Sequence, residues 1–258
     1  ALEEAGGGFI KAGQLLSTRD DVLPSEWVRE LSRLQKEVNP APPAQIEELL
    51  ERELGERRGR FATFDVEPLA AASIAQVHRA TLDDGTVVAV KVQRPGIRAL
   101  LDCDIDIMLR LAGWATRRIK QARQFGALDI AKQYAQDLRN QADFAREASN
   151  LESLAQSARS ARDEVRIPRF FPDLSTDRVL TMEFIDGETI TALRREGQTD
   201  EIEDALRTVL RSFLRQLVID GVFHADLHPG NVIIDPEGTP ALIDFGSVGR
   251  LDRDLRQT

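Results

Sequence analysis

The sequence predicts an α+β fold, and three observations carry the prediction. Residues 97–120 and 128–158 repeat apolar side chains every three or four positions, the period of a helix with one buried face. Two apolar runs, Ala75–Ala80 and Val87–Val92, are joined through Asp83-Asp84-Gly85, a strong hairpin signal. A second hairpin follows a loop in Phe223–Gly246, where Val232–Ile234 and Ala241–Ile243 flank Asp235-Pro236-Glu237-Gly238. With 258 residues, 42% of them hydrophobic, the chain can build one two-lobed domain or two small ones.

In chain order, residues 9–18 read as a short amphipathic helix after Gly6-Gly7-Gly8, with Lys11 and Gln14 on one face. Ser25 after Pro24 is a good N-cap for a helix to about Glu37. Asn39-Pro40-Ala41-Pro42-Pro43 breaks the chain, and Ala44–Leu54 forms another helix with Ile46, Leu49 and Leu50 inward. Strand character begins near Phe61. The helix over 97–120 directs Ile97, Leu101, Ile105, Met108, Ala112, Ala115 and Ile119 to the core. One continuous helix over 128–158 does so with Leu128, Ala131, Ala135, Leu138, Ala142 and Ala145. Val179–Ile185 is an apolar strand ending at Asp186-Gly187. Glu201–Asp220 is a final amphipathic helix with Leu206, Leu210, Phe213, Leu214 and Leu217, and it delivers the chain to His224.

The chemistry concentrates in Phe223–Gly246. Asp226, Asn231 and Asp244 fall at one end of the expected hairpin. A carboxylate at Asp226 can accept or orient the proton of an attacking hydroxyl or water. Asn231 and Asp244 offer oxygen ligands for Mg²⁺, which uses few protein ligands beside a nucleotide's own phosphates. Their spacing matches the H-R-D-L-x-x-x-x-N and D-F-G signatures of protein kinases, with Ala225 in the Arg position. Lys91 ends an apolar run, as the phosphate-binding lysine of V-A-I-K does. The small-residue loop Ala70-Ala71-Ala72-Ser73-Ile74-Ala75 stands where a kinase carries its glycine-rich nucleotide loop. Alanines restrict positive φ and close approach to phosphates, so a different nucleotide pose is expected, one that slows transfer or favours ADP. Asp143 and Glu147 lie one helical turn apart; one of them is the expected partner of Lys91, and Glu147 is preferred. The carbonyl of Glu183 and the amide of Ile185 are candidates for pairing with adenine. His78, His224 and His228 are too scattered for a metal cluster, and His224 reads as an anchor of the loop, not a base.

Composition narrows the rest. Lys and Arg total 34 against 43 Asp and Glu, a net charge of −9 that argues against nucleic acid as the main partner. The basic cluster Arg117, Arg118, Lys120 and Arg123 reads as a solvated helix face. Cys103 is the single cysteine, so no intrachain disulfide forms and a reducing compartment is favoured. No signal peptide or long apolar span is visible. The chain opens on Ala1 and closes on Thr258, which suggests a fragment with an incomplete C-lobe.

A more specific match lies in KAGQ at Lys11–Gln14, AAASIAQVH at Ala70–His78, VAVKVQRPG at Val88–Gly96, HADLHPGN at His224–Asn231 and LIDFGSVG at Leu242–Gly249. Together they resemble the UbiB/ADCK (aarF-domain) atypical kinases from about residue 9 to 251. The resemblance implies a two-lobed protein-kinase-like fold: a helical KxGQ extension over 1–58, an N-lobe with inserted helices over 59–185, and a partial C-lobe over 186–258. It implies that Lys11 and Gln14 contact an ExD motif in the cleft and obstruct protein substrates. Here Gln141-Ala142-Asp143 replaces Glu-x-Asp, which weakens that clamp or passes it to Asp143. Glu147 fits the family's lysine-pairing glutamate.

What the family suggests is an Mg²⁺- and ATP-dependent ATPase or unorthodox kinase. It would support isoprenoid quinone, typically ubiquinone, biosynthesis with lipids or quinone precursors and other biosynthetic proteins. The implied location is cytoplasmic and peripheral to a membrane, with anchoring segments beyond this chain. A nucleotide-binding pseudokinase serving as scaffold or switch is the alternative. An ordinary protein kinase is disfavoured, because no A-P-E follows the Asp-Phe-Gly triplet.

Overall fold

A computed structural model describes residues 39–161, 164–197 and 200–251. The helices expected over 9–18 and 25–37, with Lys11 and Gln14, lie outside the described residues. The chain divides into two compact units. Among the described residues, one comprises 39–55 with 65–78 and 91–143; the other comprises 56–64, 79–90 and those from 144 onward.

Helix α1 (Pro43–Leu54) starts on tandem prolines, whose fixed φ suits a first turn and whose missing N–H would have no partner there anyway. Ile46, Leu49, Leu50 and Leu54 are buried, as the helical period requires. Strands β1 (Phe61–Phe64), β2 (Ala70–Ala71), β3 (Ala75–Leu82) and β4 (Val87–Gln93) follow. In the first unit β2 pairs antiparallel with the start of β3, Ala70 opposite Val77 and Ala71 opposite Gln76.

Helices α2 (Ile97–Arg118), α3 (Lys120–Gln124) and α4 (Ala127–Gln141) complete that unit. Ile97 and Leu101 pack with Ile74 and Ala142, and Ile105 packs with Ala135 and Leu138. The expected α2 stripe holds only over this first half. Ala112 and Ala115 are half-buried, and Ile119 is 41% exposed in an extended conformation that ends the helix. Arg117, Arg118, Lys120 and Arg123 are exposed, as a solvated face should be.

The single helix expected over 128–158 is two helices, α4 and α5 (Phe144–Ala161), separated at Ala142 and Asp143. Neither proline nor glycine causes the break. The Ala142 carbonyl is taken by Gln93 Nε2 (2.7 Å) and Arg98 Nη2 (3.3 Å), and the Phe144 amide donates to the Asp177 carbonyl (3.2 Å). Once those groups bond elsewhere, the i→i+4 ladder cannot pass through them. Past the break Ala145 is exposed, and at the start of α4 Leu128 is only half-buried, both contrary to the expected stripe.

The second unit contains α5, β5 (Val179–Glu183), β6 (Glu188–Thr189), α6 (Ile190–Glu196), α7 (Asp200–Arg215), β7 (Val222–His224), β8 (Val232–Ile234), β9 (Pro240–Leu242) and β10 (Val248–Arg250). Its main sheet has the order β1-β3-β4-β5, with Phe61 opposite Leu82 and the Phe184 amide on the Val87 carbonyl (3.3 Å). The β3–β4 turn closes as the Asp-Asp-Gly signal requires, Leu82 donating to Thr86 (2.8 Å). A three-stranded sheet runs β6-β8-β9, and β7 pairs with β10. Gly187, at φ 139°, enters β6 where an added Cβ would lie 2.2 Å from the Ile234 carbonyl oxygen. Only glycine fits that approach.

Helix α7 departs from expectation in two ways. It ends at Arg215 in a π-helical turn, Gln216–Asp220, closed by the Gly221 amide on the Gln216 carbonyl (2.8 Å). Its buried side is Ile202, Ala205, Val209 and Ser212, while Leu206, Leu210 and Leu214 are 45%, 57% and 49% exposed. The leucine stripe therefore sits beside the buried face, not on it.

Candidate active site

In the second unit, one buried imidazole organises the acidic loop. His224, 1% exposed at the end of β7, donates its backbone amide to a side chain, Gln216 Oε1 (3.1 Å). Gln216 Nε2 in turn donates to Ser212 Oγ (3.0 Å). On the ring, Nδ1 accepts the Asp226 amide (3.1 Å), so the proton resides on Nε2 and is donated to the Asp244 carbonyl. This is the neutral tautomer. Burial pushes the His224 pKa below its ordinary value, against the opposing pull of the Asp244 carbonyl and the Asp244 and Asp226 carboxylates. His224 is thus an anchor, as its place in the loop suggested.

The two ends of the loop are drawn together by further bonds. Asn231 Nδ2 donates to the Asp226 carbonyl (3.0 Å), and the Ile243 amide donates to the Asn231 carbonyl (3.1 Å). The hairpin turn is fixed by Asp235, whose carboxylate accepts the Glu237 and Thr239 amides (3.1 and 2.7 Å), with Gly238 at φ 83°. Asp244 Oδ1 accepts the Gly246 amide (2.9 Å). Asp226 is exposed, Asp244 half-buried and Asn231 7% exposed. The Nδ2 of Asn231 is thus committed to Asp226. One amide oxygen and one carboxylate suit the hard, oxygen-preferring Mg²⁺. No group of three or more His, Cys, Asp or Glu side chains able to hold a metal occurs among the described residues.

Also in this unit, Glu147 lies in the first turn of α5 and is 2% exposed, so it is not the ordinary surface carboxylate that sequence alone allows. The Glu183 amide donates to the Arg169 carbonyl (2.8 Å), on the strand edge opposite β4, and its carboxylate meets Arg166 (2.5 Å). Ile185 follows, 4% exposed and just beyond the end of β5. One buried polar residue had no sequence signal beyond its place one turn after Glu147. Asn150 Nδ2 donates to the Phe245 carbonyl (3.0 Å) from 95 positions away.

In the first unit, Ala72–Ala75 is a tight turn closed by the Ala72 amide on the Ala75 carbonyl (2.8 Å). Ser73 and Ile74 are buried, and Arg94 caps the carbonyls of Ile74 (2.8 Å, through its amide) and Ala72 (3.4 Å, through Nη1). Lys91 is half-buried in β4, as are Gln141, the last residue of α4, and Asp143 in the break that follows. His78 is structural: Gln76 Nε2 donates to its Nε2 (2.8 Å), leaving Nδ1–H for the Asp65 carbonyl (2.8 Å). Among the described residues no helix is long and apolar enough to cross a membrane.

Residues 33–258 match the family model of the ABC1 atypical kinase-like domain. A probable protein kinase UbiB of Pseudomonas entomophila is 39% identical over 97% of this chain and 48% of its own length. The chloroplastic protein ACTIVITY OF BC1 COMPLEX KINASE 8 of Arabidopsis thaliana is 38% identical over 98% of this chain and 34% of its own. A solved complex of Rv3197 with erythromycin, from Mycobacterium tuberculosis, superposes with a TM-score of 0.69 at 31% identity, covering 99% of this chain and 63% of that one. An uncharacterized Synechocystis protein is 38% identical, and the chain spans 65% of it. The chain therefore spans between about a third and two thirds of these relatives, from 34% to 65%.

Proposed function

The chain belongs to the ABC1 atypical kinase-like family, and on that premise we propose that it binds Mg²⁺–ATP and carries out phosphoryl chemistry in support of quinone or related lipid metabolism. The observation that supports this reading is the set of hydrogen bonds joining His224 to Asp226 and Asp244, and Asn231 to Asp226 and Ile243. Asp226 would take or orient the proton of the attacking oxygen. Asn231 Oδ1 and the Asp244 carboxylate would hold the metal, which would supply positive charge against the phosphates. Lys91, steadied by the buried Glu147, would hold the α- and β-phosphates, and the Glu183 carbonyl and Ile185 amide would pair with adenine.

The alanine-rich turn, Ala70 to Ala75, supports an altered nucleotide pose. It spends the Ala72 amide on its own closure, so that N–H is not presented to phosphate as a glycine-rich loop would present it. This favours slow turnover, and it also keeps alive the second reading, a nucleotide-gated scaffold. The finer parts of the proposal are a KxGQ extension over 1–58, an N-lobe over 59–185 and C-lobe sequence over 186–258. Lys11 and Gln14 would close on Gln141 and Asp143 to exclude protein substrates. The implied partners are a quinone precursor or lipid, a membrane surface and other biosynthetic proteins.

The test is Mg²⁺-dependent ATP hydrolysis by the parent and Asp226→Asn, with and without anionic liposomes. A positioned acid–base group contributes about 10²–10⁴ in rate, so the variant should fall by that factor. Turnover unchanged by Asp226→Asn would refute the assigned role. Tight nucleotide binding without turnover, abolished by Asp244→Asn, would select the scaffold.

A further inference from the structure

Asn150 has no part in the scheme above, yet it touches the backbone of the Asp-Phe-Gly triplet. It is 8% exposed, and its Nδ2 donates to the Phe245 carbonyl at 3.0 Å. The same peptide group carries the Gly246 amide, which donates to Asp244 Oδ1 at 2.9 Å. A peptide group is rigid and planar, with its carbonyl and N–H pointing in opposite directions. Fixing one end therefore fixes the other.

We infer that Asn150 is a positioning residue. By anchoring the Phe245 carbonyl it aims the Gly246 N–H at Asp244, and so sets the orientation of that carboxylate for a divalent cation. The inference rests on the metal-binding reading of Asp244.

The location explains why an anchor is needed. The peptide is followed by glycine, the residue with the least steric resistance to backbone rotation, so a flip here meets little opposition from side chains. A flip would replace the N–H facing Asp244 by a carbonyl, turning attraction into repulsion beside a carboxylate. Phe245 is fully buried and held edge-on to His224 at 6.2 Å, which fixes its ring but not its carbonyl. The hydrogen bond from α5 supplies the missing restraint. The bonds in the series Asn150, Phe245–Gly246, Asp244 also polarise one another, so the first supports the last. Glu147 lies one turn earlier on the same helix.

A purely structural Asn150 would satisfy a buried carbonyl and no more. The two roles are separated with Asn150→Leu, similar in size but without a donor, and Asn150→Asp, isosteric and also without one. Three quantities are read: exchange of the Gly246 amide by NMR, the Mg²⁺ dependence of fluorescent ADP binding, and ADP binding in EDTA. In both variants the Gly246 amide should exchange about tenfold faster or more, while the Ile234 and Leu242 amides of the hairpin keep their protection. The Mg²⁺ concentration for half-saturation should rise about 10- to 100-fold, the usual effect of losing a group that orients a metal ligand. ADP affinity in EDTA should not change. Unaltered Gly246 exchange would overturn the inference, as would equal weakening of binding with and without Mg²⁺. If the parent bound no nucleotide, the functional proposal would fail; Mg²⁺-induced shifts of the Asp244–Gly246 amides would then decide the role of Asn150 alone. Shifts identical in parent and variants would refute it.

Discussion

Replacing His224 by phenylalanine tests whether the imidazole holds the loop together. The ring volume and the edge-on contact with Phe245 survive, but two hydrogen bonds go: the Asp226 amide loses its acceptor and the Asp244 carbonyl its donor. A buried polar group stripped of its partner costs about 1–3 kcal/mol. Asp226 is exposed, so its amide can turn to water and sits at the low end of that range; Asp244 is half-buried and sits nearer the high end. Their sum is about 2–4 kcal/mol, a large part of the roughly 5–15 kcal/mol typical of a folded domain. Urea unfolding at pH 7.5, followed by fluorescence and circular dichroism together, measures it. His224→Asn should recover the smaller part of the loss, about 1 kcal/mol, because its Oδ1 can take the place of Nδ1 as acceptor for Asp226. A change below about 0.5 kcal/mol for His224→Phe would refute the reasoning. So would an asparagine variant no better than phenylalanine.

Three further perturbations probe other parts of the chain. Burial lowers the pKa of both His78 and His224 from the ordinary 6.5, so as the pH falls through that value the unfolded chain takes up protons that the folded chain refuses. Unfolding free energy should therefore be level above about pH 7.5 and decline as the pH falls below about 6.5. The double variant His78→Gln, His224→Asn should flatten that part of the curve, and a parent curve already flat to pH 5.5 would contradict the assignment. Gly187→Ala must place a Cβ on the Ile234 carbonyl at a positive φ, and should cost about 2–4 kcal/mol in urea unfolding. Gln93→Leu removes the 2.7 Å bond to Ala142 and should cost about 1–2 kcal/mol, rising further when Arg98→Ala is added.

What could be read from the sequence was what short range decides. The hairpin through Asp235 and Gly238 is legible because turn chemistry and two flanking apolar runs agree. The positions of Asp226, Asn231 and Asp244 follow from the loop and hairpin that carry them. The break between α4 and α5 was not legible, because it is set by Gln93, 49 residues from the carbonyl it captures. Helical periodicity runs straight through Ala142 and gives no warning. The α7 leucines show a related failure: spacing identifies an apolar stripe but not which of two adjacent faces meets the core. Asn150 was invisible for a simpler reason. A single amide on a helix looks like any solvated residue until its partner, 95 positions away, is known.

The π-helical turn at Gln216–Asp220 has a bearing on how this stretch can tolerate changes in length. Its Gly221-to-Gln216 bond spans five residues where an α-helix spans four, so the turn holds one residue more than an α-helix needs. Deleting any one of residues 216–220 could restore unbroken α-helical bonding, and by propensity alone that would look harmless. Five residues of a π-turn wind through about the same single turn as four of an α-helix, so losing residue 217, 218, 219 or 220 would keep the entry into β7 in phase. Losing Gln216 would not be equivalent, because its side chain accepts the His224 amide. The turn is thus a reserve of chain length beside the acidic loop, and Gln216 is the one member of it that the loop cannot give up.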